Sequence, residues 1–243
     1  MLYCVALMET MDQDRKRAAM QKNQTLPSGT MAVACLLSLS GGFLDAYSFF
    51  NRGGVFANAQ TGNIVMLGAC LVGGQNEVFL KYLIPIIAFL LGIFLAVVIE
   101  TTLNKLNIRF VRRSVLLLEA AILVFVAFLP EGRENNVLAN TLVSFICAAQ
   151  METFKSFRGE PIATTMSTGN LRKFAENFYL GFIKKEFRHH KTAVQYLVVL
   201  LMFTAGAALG AVASGLFSVL SALIPAGLLL CAAGHITVAK RAG

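Results

Sequence analysis

The chain has 243 residues, of which 56% are hydrophobic and only 14% charged, with a formal net charge of +8. A soluble domain carries roughly 25% charged residues, so this composition argues against a soluble globular protein and for a polytopic, all-α membrane bundle. The basic excess is what loop orientation in a bilayer demands, and no nucleic-acid partner is expected.

In chain order, Met1 to Gln24 places an apolar scrap before Arg15-Lys16-Arg17. That is the wrong order for a cleaved signal peptide, so residues 1–29 are expected to be a disordered cytoplasmic tail or the product of a mis-called start, with Met11, Met20 and Met31 as other starts. The first span then serves as an uncleaved signal-anchor. Six stretches read as spans of the roughly 30 Å apolar core: Thr30 to Phe50, Tyr82 to Leu103, Ser114 to Leu129, Val137 to Thr153, Thr192 to Ser214 and Leu216 to Ala239.

The chain reads as one unit used twice, a single membrane domain over 30–239 with repeat one at 30–130 and repeat two at 136–239. Gly41-Gly42-Phe43-Leu44-Asp45-Ala46-Tyr47, running to Thr61-Gly62-Asn63, is answered by Ala148-Ala149-Gln150-Met151-Glu152-Thr153-Phe154, running to Thr168-Gly169-Asn170. Phe50 is answered by Phe157, and Phe89 with Gly92 by Phe203 with Gly206. Each copy also holds a further element around its Thr-Gly-Asn, Val55 to Gly73 and Ile162 to Phe182. If both cross, the protein has eight spans and a parallel 4+4 repeat. If neither crosses, 18 of the Lys and Arg residues lie on the side of the termini and 3 on the other. The positive-inside rule favours the six-span count, with both termini cytoplasmic.

Three spans per copy is an odd number, so the copies would be inverted about an axis in the membrane plane. Each Thr-Gly-Asn then belongs to a re-entrant or interfacial segment, tolerated at depth only where protein or a water-filled cavity surrounds it. Thr can cap a helix start, Gly permits close approach, and the Asn amide both donates and accepts. The alternative is a plain helix-packing motif with a capped end.

Gly41-Gly42-x-x-Asp45-Ala46-x-Ser48-Phe49, Val55-Phe56-Ala57-Asn58-Ala59-Gln60-Thr61-Gly62-Asn63, and Gln150 followed by Thr164-Thr165-Met166-Ser167-Thr168-Gly169-Asn170 resemble the YoaK-like family of bacterial multi-pass membrane proteins. The resemblance covers about Thr30 to Ala239. It implies an inner-membrane protein of unassigned function and supplies no substrate or catalytic residue.

Acids inside spans are costly and usually face protein or water. Glu100 lies near a helix end and reads as a surface charge paired with Lys105. Glu119 pairs with Arg112 or Arg113 or serves as a proton or substrate site. Asp45 and Glu152 occupy equivalent positions near opposite mouths; they are either pathway carboxylates or helix-end acids paired with Arg52 and with Lys155 or Arg158. The candidate pathway residues are therefore Asp45, Gln60, Thr61, Asn63, Glu119, Gln150, Glu152, Thr168 and Asn170. The five cysteines show no Cys-x-x-Cys spacing, and His189-His190 sits among basic residues, so neither a metal nor a cofactor is expected. No catalytic motif appears, which argues against an enzyme. The expected function is transport or channelling of a small solute or ion. The alternative is a non-transporting scaffold or regulatory subunit, for which Gly206-x-x-x-Gly210 would serve helix packing or homo-oligomerisation.

Overall fold

The computed structural model describes residues 30–73, 76–102, 108–157 and 159–238; the expected tail, Lys105, Arg158 and the ends of two expected spans (Leu103, Ala239) lie outside them. The described residues are almost entirely helical: α1 (Met31–Asn51), α2 (Gln60–Gly73), α3 (Asn76–Thr102), α4 (Ile108–Ala127), α5 (Arg133–Thr153), α6 (Ser167–Phe178), α7 (Phe187–Phe217) and α8 (Leu223–Val238). A π-helical turn at Tyr179–Ile183 follows α6, and a 3-10 turn at Ser218–Ala222 separates α7 from α8.

Among the described residues, three stretches are long and apolar enough to cross a membrane: Met31–Asn51, Val78–Thr102 and Phe187–Ile236. The last is continuous in hydropathy but broken in backbone, because Ser218 adopts a φ of 47° and ends α7. It takes in two of the six expected spans. The expected spans in α4 and α5 do not qualify by composition. Arg112 and Arg113 open α4, and α5 carries Arg133, Glu134 and Glu152 along with Asn140, Ser144 and Gln150, all three buried. Polarity in α5 is thus turned inward onto protein.

Helix packing follows the duplication. α1 packs on α7 and α8, α5 packs on α3 and α4, α2 packs on α3, α6 packs on α7, and α4 packs on α8. Exchanging α1–α4 with α5–α8 maps this pattern onto itself. Glycine makes the two largest crossings close. A Cβ on Gly42 of α1 would stand 2.0 Å from the Phe203 carbonyl oxygen of α7, and one on Gly206 of α7 would stand 2.0 Å from the Leu39 oxygen. At the matching α3–α5 crossing, a Cβ on Gly92 would stand 2.2 Å from the Phe145 oxygen. Only hydrogen fits at these points.

One end of the bundle gathers the C-terminus of α1, the N-termini of α3 and α5 and the α7–α8 junction. Arg52 bonds the Pro130 carbonyl and Asn136, Asn51 donates to the Ser218 carbonyl at 2.9 Å, and a Cβ on Gly53 would lie 3.8 Å from Lys81. The opposite end gathers the C-termini of α3 and α5 and the N-terminus of α4, where Lys155 bonds Glu100 at 2.9 Å and Arg112 sits over the Phe154 ring. α1 therefore ends where its repeat partner α5 begins.

Candidate functional site

The two Thr-Gly-Asn elements are return segments. After α1, Gly53 and Gly54 take positive φ values of 82° and 74°, which turns the chain back alongside α1. Asn58 then lies beside Gly41 and Asp45, so the loop descends by about 10–15 Å at 1.5 Å of helix per residue. α2 climbs back, placing Cys70 against Val55 and Tyr82 at the end the chain had just left. In repeat two the loop after α5 descends to Thr164, whose carbonyl oxygen would stand 3.0 Å from a Cβ on Gly41. The α6 end then meets the start of α7 through Asn177 and His189, 2.7 Å apart.

The Asn of each motif closes its own loop in the same way. Asn63 accepts from the Phe56 N–H at 2.9 Å and donates to the Phe56 carbonyl at 2.8 Å. Asn170 accepts from the Ala163 N–H at 3.2 Å and donates to the Ala163 carbonyl at 2.5 Å. A primary amide is the one small side chain that presents a donor and an acceptor in the plane needed to satisfy both groups of a single peptide position. Both are buried, at 0% and 3% exposure. The Asn therefore works as a clasp, and its amide faces its own loop.

Asp45 is 6% exposed and accepts from the N–H groups of Asn58 at 2.7 Å and Ala59 at 3.3 Å, both on Oδ1. It thereby satisfies the free N–H groups at the start of α2, whose partial positive charge suits a carboxylate. Its expected partner, Arg52, is engaged elsewhere. At 1% exposure, Arg52 donates to the carbonyls of Val126 (2.6 Å), Leu129 (3.0 Å) and Pro130 (3.3 Å), and to Tyr47 Oη at 2.8 Å. Its charge thus rests against the carbonyl end of α4.

Glu152, the repeat counterpart of Asp45, has a different environment. Lys155 bridges Glu152 at 2.8 Å and Glu100 at 2.9 Å near the surface. Partial burial pulls the Lys155 ammonium down, but the two carboxylates outweigh it and hold its pKa above the ordinary lysine value. Duplication of sequence has not preserved duplication of role. Further along the same end, Lys173 holds the exposed Glu176 carboxyl below the usual range.

Glu119 is fully buried and accepts a weak bond from the Cys147 thiol at 3.6 Å. It makes no ion pair with Arg112, which turns toward Phe154 instead. Gln150 is buried beside it. Gln60 donates to the Ala57 carbonyl at 3.0 Å and reaches Ser144 Oγ of α5 at 3.5 Å, a contact between the two repeats. Thr61 lines a cleft of about 450 Å³ with Phe49, Phe56, Met66 and Tyr82, and Thr168 is exposed. No side-chain cap bond forms at the start of α6.

The structure brings together residues that reading by motif did not assign. Asn58 donates from Nδ2 to the Gly41 carbonyl at 3.2 Å, and Thr165 lies against the other side of Gly41. Asn58, Thr164 and Thr165 are each 1% exposed, and Asn58 Oδ1, Thr164 Oγ1 and Thr165 Oγ1 have no hydrogen-bond partner in the protein. Both return loops thus meet across Gly41. Asn58 and the two threonines stood inside the motif runs, but only the fold shows that they converge.

A family described as "Protein of unknown function (DUF1275)" matches residues 33–235. The chain belongs to the DUF1275 family. The DUF1275 match spans both return segments and every candidate residue named above. Neither the curated proteins nor the solved structures give a match.

Proposed function

We propose that this DUF1275 protein moves a small solute or ion across a bacterial cytoplasmic membrane, with both termini on the cytoplasmic side. In this reading α1, α3, α4, α5, α7 and α8 cross, α2 and α6 are re-entrant, and the halves form an inverted 3+3 repeat. The observation that carries it is the meeting of the two return loops at Gly41, deep in the bundle, with polar atoms left without protein partners. Non-helical backbone at such depth belongs where it lines a pathway or a site. The opposite run of α1 and α5 supports the inversion, and the shared motifs support the YoaK-like kinship. Polar α4 and α5 fit as crossings because their polar residues face protein.

The scaffold alternative loses one of its supports. Gly206 and Gly210 are consumed inside the chain, against Leu39 and Phe43 of α1, so this motif offers no free oligomerisation face.

The test is reconstitution into proteoliposomes on a solid-supported membrane, challenged with chloride salts of monovalent cations and with panels of amino acids and sugars. The wild-type protein should give a saturable current or uptake with at least one of them, and Asp45→Asn should lose it. Folded wild-type protein that moves none of them overturns the proposal in favour of the scaffold.

A further inference from the structure

The junction of the return loops lies one helical turn from a carboxylate: Asn58 N–H bonds Asp45, and Thr164 and Thr165 pack on Gly41. Asp45 makes no ion pair among the described residues, and the bonds from Asn58 and Ala59 both fall on Oδ1. The N-terminus of a helix offers about half a positive charge, so the start of α2 compensates Asp45 only in part. The nearest base in sequence, Arg52, is committed to the carbonyl end of α4.

The unpartnered polar atoms of Asn58, Thr164 and Thr165 are oxygens as well. The Asn58 amide is oriented by its donation to the Gly41 carbonyl, because reversing it would set oxygen against oxygen. Its Oδ1 is therefore the free atom, and a buried acceptor without a donor costs about 1–3 kcal/mol. Thr164 and Thr165, from the other repeat, bring two buried hydroxyls with no partner. Three unpartnered oxygens near a carboxylate without an ion pair suit a hard cation of single charge.

We propose that the junction binds a dehydrated monovalent cation, held by oxygens of Asp45, Asn58, Thr164 and Thr165. The inference rests on the pathway reading and names its ligand. One loop from each repeat contributes, so the cation would hold the halves together, and its release would free them to move. An alkali ion and ammonium share this chemistry, and the test separates them.

The experiment is thermal unfolding of the purified full chain in detergent at constant ionic strength, with choline chloride replaced stepwise by sodium, potassium or ammonium chloride. At least one cation should raise the midpoint saturably above the choline baseline. Thr165→Val removes a buried hydroxyl without a partner in the protein, so it should not lower the choline baseline while shifting the required cation concentration upward. Loss of one ligand worth about 1.4 kcal/mol is a tenfold shift. Asn58→Leu should raise the required cation concentration too, from a choline baseline lowered by loss of its bond to the Gly41 carbonyl, and Asp45→Asn should abolish the response if it folds.

Equal stability in every salt overturns the proposal, and so does a cation response that Thr165→Val and Asn58→Leu both leave intact. A pH-dependent midpoint that ignores the cation points to a proton on Asp45 instead and equally overturns it. The two readings fail separately. Cation binding without flux of any solute removes transport and leaves the site, whereas flux indifferent to the cation removes the site and leaves transport.

Discussion

Replacing Asn63 by leucine should destabilise the protein by about 2–6 kcal/mol. The Asn63 side chain satisfies both polar groups of Phe56, at 2.9 and 2.8 Å, and also donates to Gln60 Oε1 at 2.8 Å. Leucine keeps the branched shape and removes the bonds, leaving one N–H and one carbonyl without partners where water is scarce. Each such group costs about 1–3 kcal/mol, and the two together give the range. Asn170→Leu should cost a similar amount, because Ala163 is held by the same pair of bonds. The assay is equilibrium unfolding of purified variants in detergent, followed by circular dichroism. The two return loops are separate clasps, so the double variant should show roughly additive losses. A loss under about 1 kcal/mol for either single variant would refute the clasp and return these amides to a role facing a cavity.

Other perturbations probe the rest of the fold. Gly42→Ala should cost about 1–3 kcal/mol or more, because the added carbon meets the Phe203 carbonyl at 2.0 Å and the α1–α7 crossing must open; Gly227→Ala, with nothing within 4 Å, should stabilise α8 by up to about 1 kcal/mol. Thermal unfolding of the two variants side by side checks the contrast. Arg52→Met should lower stability by about 3 kcal/mol or more, since three carbonyls and Tyr47 lose their buried donor, and Arg52→Lys should restore only part of it in the same assay. Lys155→Met should change stability by less than about 1 kcal/mol, because its partners are near the surface; a larger loss would mean the Glu100–Glu152 bridge fastens α3 to α5.

Much of the arrangement was legible from pattern. The all-helical character and the long apolar stretches could be read from composition, and the duplicated runs around Asp45 and Glu152 pointed to a repeat that the pairing of helices parallels. Helix ends moved where local composition misleads. α3 starts at Asn76 rather than Tyr82, because the polar turn before Tyr82 is still helical, and α7 begins at Phe187, inside a basic run that reads as loop. Pattern supplied Lys155 for Glu152 but not the other partners. Sequence proximity suggested Arg52 for Asp45 and Arg112 for Glu119, yet helix ends provided the compensation for Asp45 and for Arg52. Backbone dipoles carry no letter in the sequence. Equivalence of position also failed as a guide for Glu152, since Lys155 draws it to the surface.

Side-specific cysteine labelling in intact cells and inverted vesicles, on a background without native thiols, tests the central claim most directly. Cysteines at Gly53 and Lys81 should both label from outside, and those at Lys155 and Lys184 both from the cytoplasm, because each return segment comes back to the face it left. Gly53 and Lys81 labelling from opposite sides would make α2 a full crossing and contradict the inverted repeat on which the account depends.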